Sequence, residues 1–85
     1  MTVGIVGLGL IGGSFAKAYH AAGWEVLAHD ADASTLSFAQ MSGAVDAPLT
    51  MDNISACDLV LVCIYPLAAV EYLRQAAPHI GAKPV

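Results

Sequence analysis

Gly7-Leu8-Gly9-Leu10-Ile11-Gly12 decides how this chain is read, because of what lies on either side of it. Before it, Thr2 to Val6 is a short, β-rich apolar run. After it, Ile11, Phe15, Ala18 and Ala22 recur at helical spacing. A G-x-G-x-x-G segment that leaves a strand and opens a helix is the fingerprint of dinucleotide binding, and each glycine has its own physical reason. Gly7 permits the tight turn and Gly9 lets backbone approach a pyrophosphate. Gly12 lets the helix lie against the first strand, a contact that Ala16, one turn later, keeps small. The N–H groups of Leu10, Ile11 and Gly12 have no partner within the helix. They therefore meet an anion at the positive end of the helix dipole, with no lysine required. Gly-rich turns also arise for steric reasons alone, so the weight of the motif rests on its surroundings.

Working outward, Gly23 supplies a helix stop and Trp24 to His29 reads as a second strand. Val26, Leu27 and Ala28 are consecutive in it, as expected when both sheet faces are covered. Asp30 ends this strand 18 residues after Gly12, where a carboxylate accepts hydrogen bonds from the adenosine ribose hydroxyls. Asp32 is the better placed helix cap, which leaves Asp30 without a local duty. The same carboxylate repels the 2′-phosphate of NADP, and Ala31 offers no cation to receive it, so the expected cofactor is NAD. A flavin dinucleotide uses a similar turn, but nothing else in the sequence favours it.

Further along, Asp32 caps a second helix through Ala33 to Ser42, with Leu36, Ala39 and Gly43 on one side and Gly43 ending it. Ala44 and Val45 are expected to form a minimal third strand. Pro48 breaks the chain, and Thr50 or Asp52 caps a short helical turn to Ala56. Asp58 leads into Leu59 to Ile64, the clearest buried strand. Tyr65-Pro66 turns the chain at the same sheet edge. It either borders the cofactor's ribose and nicotinamide half or is an ordinary strand-to-helix turn. Leu67 to Ala77 is predicted as a helix ended by Pro78, and a further strand is expected to start at Lys83-Pro84-Val85.

Strands alternating with helices predict the α/β class, a Rossmann-type doubly wound parallel sheet with right-handed crossovers, truncated at the start of its fifth strand. In that order the strand from Thr2 is central, flanked by those beginning near Trp24 and Asp58, and ligands belong at the carboxyl edge. At 85 residues there is room for one domain, residues 1–85. A composition 58% hydrophobic and 12% charged is apolar enough to suggest that this domain is incomplete, covered by the rest of a longer polypeptide. Net charge −4 with three Lys and Arg argues against a nucleic-acid partner. The uncharged first sixteen residues lack a basic leading segment and carry five glycines, unlike a signal peptide. Leu59 to Val70 is too short to span a bilayer and Pro66 interrupts it, so a soluble, cytoplasmic protein without a membrane partner is expected. Cys57 and Cys63 lack the spacing of a redox or zinc pair and read as small buried hydrophobes. His20, His29 and His79 are scattered, and no metal site is expected.

Val3-Gly4-Ile5-Val6-Gly7-Leu8-Gly9-Leu10-Ile11-Gly12-Gly13-Ser14 resembles the start of prephenate and arogenate dehydrogenases, where the Gly-Gly-Ser ending is familiar. The resemblance continues through Gly23-Trp24-Glu25-Val26, His29-Asp30, Gly43-Ala44-Val45-Asp46, Asp58 to Val62 and Ala77-Pro78-His79-Ile80, nearly the whole chain. It implies that Gly7, Gly9, Gly12 and Asp30 hold NAD, with Leu10, Ile11, Tyr65 and Pro66 alongside. It also implies an NAD-dependent oxidoreductase of tyrosine and aromatic amino acid biosynthesis, which oxidatively decarboxylates prephenate or arogenate as a homodimer. In that family the catalytic His and its neighbouring Ser lie beyond the fifth strand. No residue of this chain corresponds to them, and the chain alone is not expected to be active. Two departures stand out, the short segment between Asp46 and Asp58 and Leu67 after the proline. Two alternatives remain. The 3-hydroxyacid and 6-phosphogluconate dehydrogenases share a similar front domain but more often carry Met where Ile11 stands. A non-catalytic NAD-sensing module also fits, because a fold reports binding without reporting chemistry.

Overall fold

A computed structural model describes residues 1–64 and 66–80, apart from the side chains of Pro66 and Leu67. The order is β1 (Thr2–Val6), α1 (Leu10–Ala21), β2 (Glu25–His29), α2 (Ala33–Met41), β3 (Ala47–Pro48), a single 3-10 turn (Ile54–Ala56), β4 (Leu59–Val62) and α3 (Pro66–Ile80). The strands form one parallel sheet in the order β3-β2-β1-β4, which is the Rossmann arrangement with β1 inside. The expected fifth strand at Lys83-Pro84-Val85 lies outside the described residues.

Both faces of the sheet are covered, which explains the uninterrupted apolar strands. Val3 and Ile5 of β1 point to one face with Val26, Ala28, Ala16 and Val45, where α1 and α2 lie. Val6 points to the other with Leu27, Val60, Ile54, Ala76 and Ile80, where α3 lies. Register is fixed at the strand starts by two aspartates that work alike. Val26 donates its N–H to Asp46 Oδ2 (2.7 Å) while Asp46 returns its own N–H to the Val26 carbonyl (2.8 Å). Thr2 and Asp58 repeat the exchange at 2.7 Å in both directions.

Two expectations are corrected. The third strand is Ala47–Pro48 instead of Ala44-Val45, because the Ala44 and Val45 N–H groups still bond the Ala39 carbonyl at the end of α2. Asp46 is the first residue to reach β2. Proline is tolerated at β3 because this is an edge strand. Pro78 does not end the last helix, which runs to Ile80. Pro78 and Arg74, the residue whose carbonyl it leaves without a helical donor, are both exposed, while Ala76 and Ile80 on either side of the proline are buried and hold the final turn on the sheet. Ile11, Phe15 and Ala18 lie in α1 as their spacing predicts, with Ala22 just past its end, and they face outward; the buried residues of α1 are Gly12 and Ala16. A helix that sits this close to its strand admits only small side chains at the contact. Thr50 and Asn53 form a reciprocal pair in the turn before the 3-10 segment, with Asn53 N–H bonded to Thr50 Oγ1 and Thr50 N–H to Asn53 Oδ1, while the segment itself starts at Asn53 without a side-chain cap.

Candidate functional site

The carboxyl ends of β1, β2 and β4 converge on the turn between β1 and α1. Gly7 enters that turn at φ 97°, which a side chain would strain, and its N–H is held by the His29 carbonyl at 2.7 Å. A Cβ at this position would lie 2.5 Å from Ile64 Cγ2 and 2.7 Å from the Cys63 carbonyl oxygen, so the residues that follow β4 close the turn from the other side. At Gly12 a Cβ would overlap the Gly7 carbonyl oxygen outright, so helix and strand end touch backbone to backbone. Gly9 is the opposite case, since a Cβ there would meet nothing within 4 Å. Gly7 and Gly12, the outer glycines of the motif, are packed, and Gly9 between them faces open space.

Gly9 is the residue preceding α1, and no side chain caps the helix. The first turn contains no acidic residue, and the first intrahelical bond runs from Gly13 N–H to the Gly9 carbonyl at 2.8 Å. The N–H groups of Leu10, Ile11 and Gly12 therefore stand at the positive end of the helix dipole facing a cleft. Ser14 is directed elsewhere and donates its hydroxyl to the Leu10 carbonyl at 2.8 Å.

Asp30 stands beside this helix end and has two bonds that the sequence reading did not give it, one local and one across the fold. Oδ2 accepts the Leu8 N–H at 2.8 Å and Oδ1 accepts the Asp32 N–H at 2.9 Å. Each oxygen keeps a further lone pair for a ligand. Asp32 caps α2 as expected, its Oδ1 accepting the N–H of Ser34 at 2.9 Å and that of Thr35 at 3.4 Å.

Two hollows meet at Gly7 and Asp30. The smaller, of about 340 Å³, is walled by His29, Ala31, Glu71, Tyr72 and Gln75. His29 and Tyr72 stack loosely in it, ring centres 5.7 Å apart. The larger, of about 1000 Å³, is mostly apolar, with Leu10, Ile11, Phe15, Cys63 and Ile64 along it. Leu10 is 93% exposed and Ile11 68%, so both side chains stand free at its rim. Burial pushes the Cys63 thiol up, and burial followed by the nearby Cys57 does the same to the Tyr72 hydroxyl. Both stay neutral at neutral pH. Among the described residues neither hollow is lined by Lys or Arg, so a 2′-phosphate would find no counter-charge beside Asp30. Pro66 opens α3 at this edge, whereas Tyr65 lies outside the described residues.

The glycines and Asp30 are thus brought together as their spacing requires. Phe15, Tyr72, Glu71 and Gln75 were not anticipated as wall residues. The last three sit on α3, and only the crossover that lays this helix beside β1 could have pointed to them.

Residues 2–83 match the family described as the NAD binding domain of 6-phosphogluconate dehydrogenase. The chain belongs to this family of NAD-binding domains. Sequence comparison with curated proteins returns no match. Among solved structures the domain is similar to Synechocystis arogenate dehydrogenase (TM-score 0.89, 24% identity, 100% of this chain and 31% of that one). It is likewise similar to Streptomyces aurantiacus imine reductase (TM-score 0.78, 27% identity, 98% and 30%). A third likeness is to A. aeolicus prephenate dehydrogenase in complex with hydroxyphenyl propionate and NAD+ (TM-score 0.69, 24% identity, 100% and 30%). The domain spans about a third of the length of these proteins. NAD is its cofactor, as the carboxylate at the end of β2 leads one to expect. Among the described residues no helix is long and apolar enough to cross a membrane.

Proposed function

We propose that this NAD-binding domain serves a cytoplasmic, homodimeric prephenate or arogenate dehydrogenase, with its catalytic groups supplied from outside residues 1–85. The observation that carries the cofactor half of this reading is the uncapped start of α1, opening onto free space beside Asp30. The diphosphate accepts the N–H groups of Leu10, Ile11 and Gly12. Asp30 accepts the adenosine ribose hydroxyls through its remaining lone pairs. The adenine fits the smaller hollow against Tyr72 and His29. The nicotinamide half runs along the larger hollow, past Leu10 and Ile11 toward the start of α3.

When bound, NAD supplies the hydride acceptor for oxidation of the ring carbon that bears the substrate hydroxyl, as carbon dioxide is lost. The residues of this chain bind and orient. Gly7 and Gly12 fix the turn, and the apolar wall of Ile11, Phe15 and Ile64 excludes water from the redox half of the cleft.

The substrate half rests on the Gly-Gly-Ser segment at Gly12, Gly13 and Ser14 and on the fold shared with arogenate and prephenate dehydrogenases. A second reading, a 6-phosphogluconate or 3-hydroxyacid dehydrogenase, is favoured by the family description itself. Reduction of NAD by a protein carrying this domain, assayed with prephenate, arogenate, 6-phosphogluconate and a 3-hydroxyacyl thioester, separates the two. Turnover confined to the first two substrates is the expected result, and turnover of either of the others in their place rejects it.

A further inference from the structure

The direction of the N–H groups at the head of α1 depends on the three-residue turn Gly7, Leu8 and Gly9, and the end of β2 holds that turn by two consecutive bonds. The His29 carbonyl takes the Gly7 N–H, and the next residue, Asp30, takes the Leu8 N–H on Oδ2 at 2.8 Å. Its other oxygen takes the Asp32 N–H and so fixes the residue that caps α2. One carboxylate therefore ties the anion-binding turn to the start of the neighbouring helix. We infer that Asp30 is a positioning residue for the phosphate-binding turn, in addition to any contact it makes with ribose. This inference rests on the dinucleotide reading of the site.

The two roles predict opposite signs for a ligand that has phosphates and no sugar. If Asp30 only grips ribose, removing it leaves inorganic pyrophosphate unaffected or binds it more tightly, because a negative charge beside an anion has been taken away. If Asp30 sets the turn, pyrophosphate binds more weakly in spite of that electrostatic gain, since the Leu8 amide loses its acceptor and the turn its geometry.

The test titrates inorganic pyrophosphate and, separately, NADH into the isotope-labelled chain, following the amide signals of Leu10, Ile11 and Gly12. It compares the unaltered chain with Asp30→Ala and Asp30→Asn. For Asp30→Ala, pyrophosphate affinity is expected to fall by about fivefold or more, the size of one lost hydrogen bond, and NADH affinity by a larger factor. Asp30→Asn, which keeps one acceptor oxygen, is expected to fall in between. Pyrophosphate bound by Asp30→Ala as tightly as by the unaltered chain, with NADH weakened, overturns the positioning role and leaves ribose binding intact. An unaltered chain whose helix-start amides respond to neither ligand overturns both. Hydrogen exchange on the unaltered chain tests the inference without any variant. The Leu8 amide, which belongs to neither strand nor helix, is expected to exchange as slowly as that of Gly7. Exchange at the rate of an open loop overturns the inference.

Discussion

Two helices leave the same edge of one sheet, each just after a strand, and they begin differently. α2 is closed by Asp32, whose carboxylate accepts the N–H groups of Ser34 and Thr35. α1 is preceded by Gly9, which has no side chain to offer, and its first turn is left to the cleft. A side-chain cap stabilises a helix by about 0.5–2 kcal/mol, so a bare helix start carries a cost unless something else takes its N–H groups. In α1 the space that a cap would fill is empty, and the carboxylate beside it is turned toward the turn and the crevice. The contrast separates a helix start built for stability from one built for an anion.

Variants at the two starts should part company. Gly12→Val, which drives a branched side chain into the Gly7 carbonyl, is expected to cost about 3 kcal/mol or more and to lose binding with the fold, as read in a urea melt. Asp30→Ala should weaken NADH by about 1.5–3 kcal/mol. NADPH should be weakened less, because its 2′-phosphate is relieved of the carboxylate, and equal losses for both would break the assignment. Asp32→Ala should lower stability by about 1 kcal/mol while leaving the NADH Kd within about twofold, since only the closed helix has lost its cap. The smallest effect concerns Cys63. Burial keeps its thiol protonated above the ordinary thiol range, and only the thiolate reacts. Alkylation should therefore be slow at neutral pH, rise as pH climbs past that range, and slow again when NADH fills the cleft. A fast, pH-independent reaction would contradict the burial.

Much of this was legible because it is local. Turn glycines, the Asp32 cap and the strand patterns declare themselves within a few residues. What stayed hidden depends on partners far along the chain. β3 begins at Ala47 because Asp46 finds Val26 twenty residues back. α3 passes through Pro78 because Ala76 and Ile80 are packed on the sheet, and this burial outweighs one missing helical bond. The sequence reading leaves Asp30 without a local duty, yet it accepts the Asp32 N–H two residues on, and its other partner, Leu8, is 22 residues away. The apolar stripe of α1 marks the helix without marking its buried face. Close approach to β1 selects glycine and alanine, so the buried face is the less hydrophobic one and Ile11 and Phe15 line the cleft instead.

The central claim is that the bare start of α1 receives the diphosphate of NAD. Gly9→Asp tests it most directly, because Gly9 has φ −67° and open space around it, so an aspartate can cap the helix as Asp32 caps α2. Thermal melting and NADH calorimetry on this variant should give a midpoint equal to or above that of the unaltered chain, with NADH binding abolished. A folded Gly9→Asp chain that binds NADH with unchanged affinity would show that the diphosphate lies elsewhere.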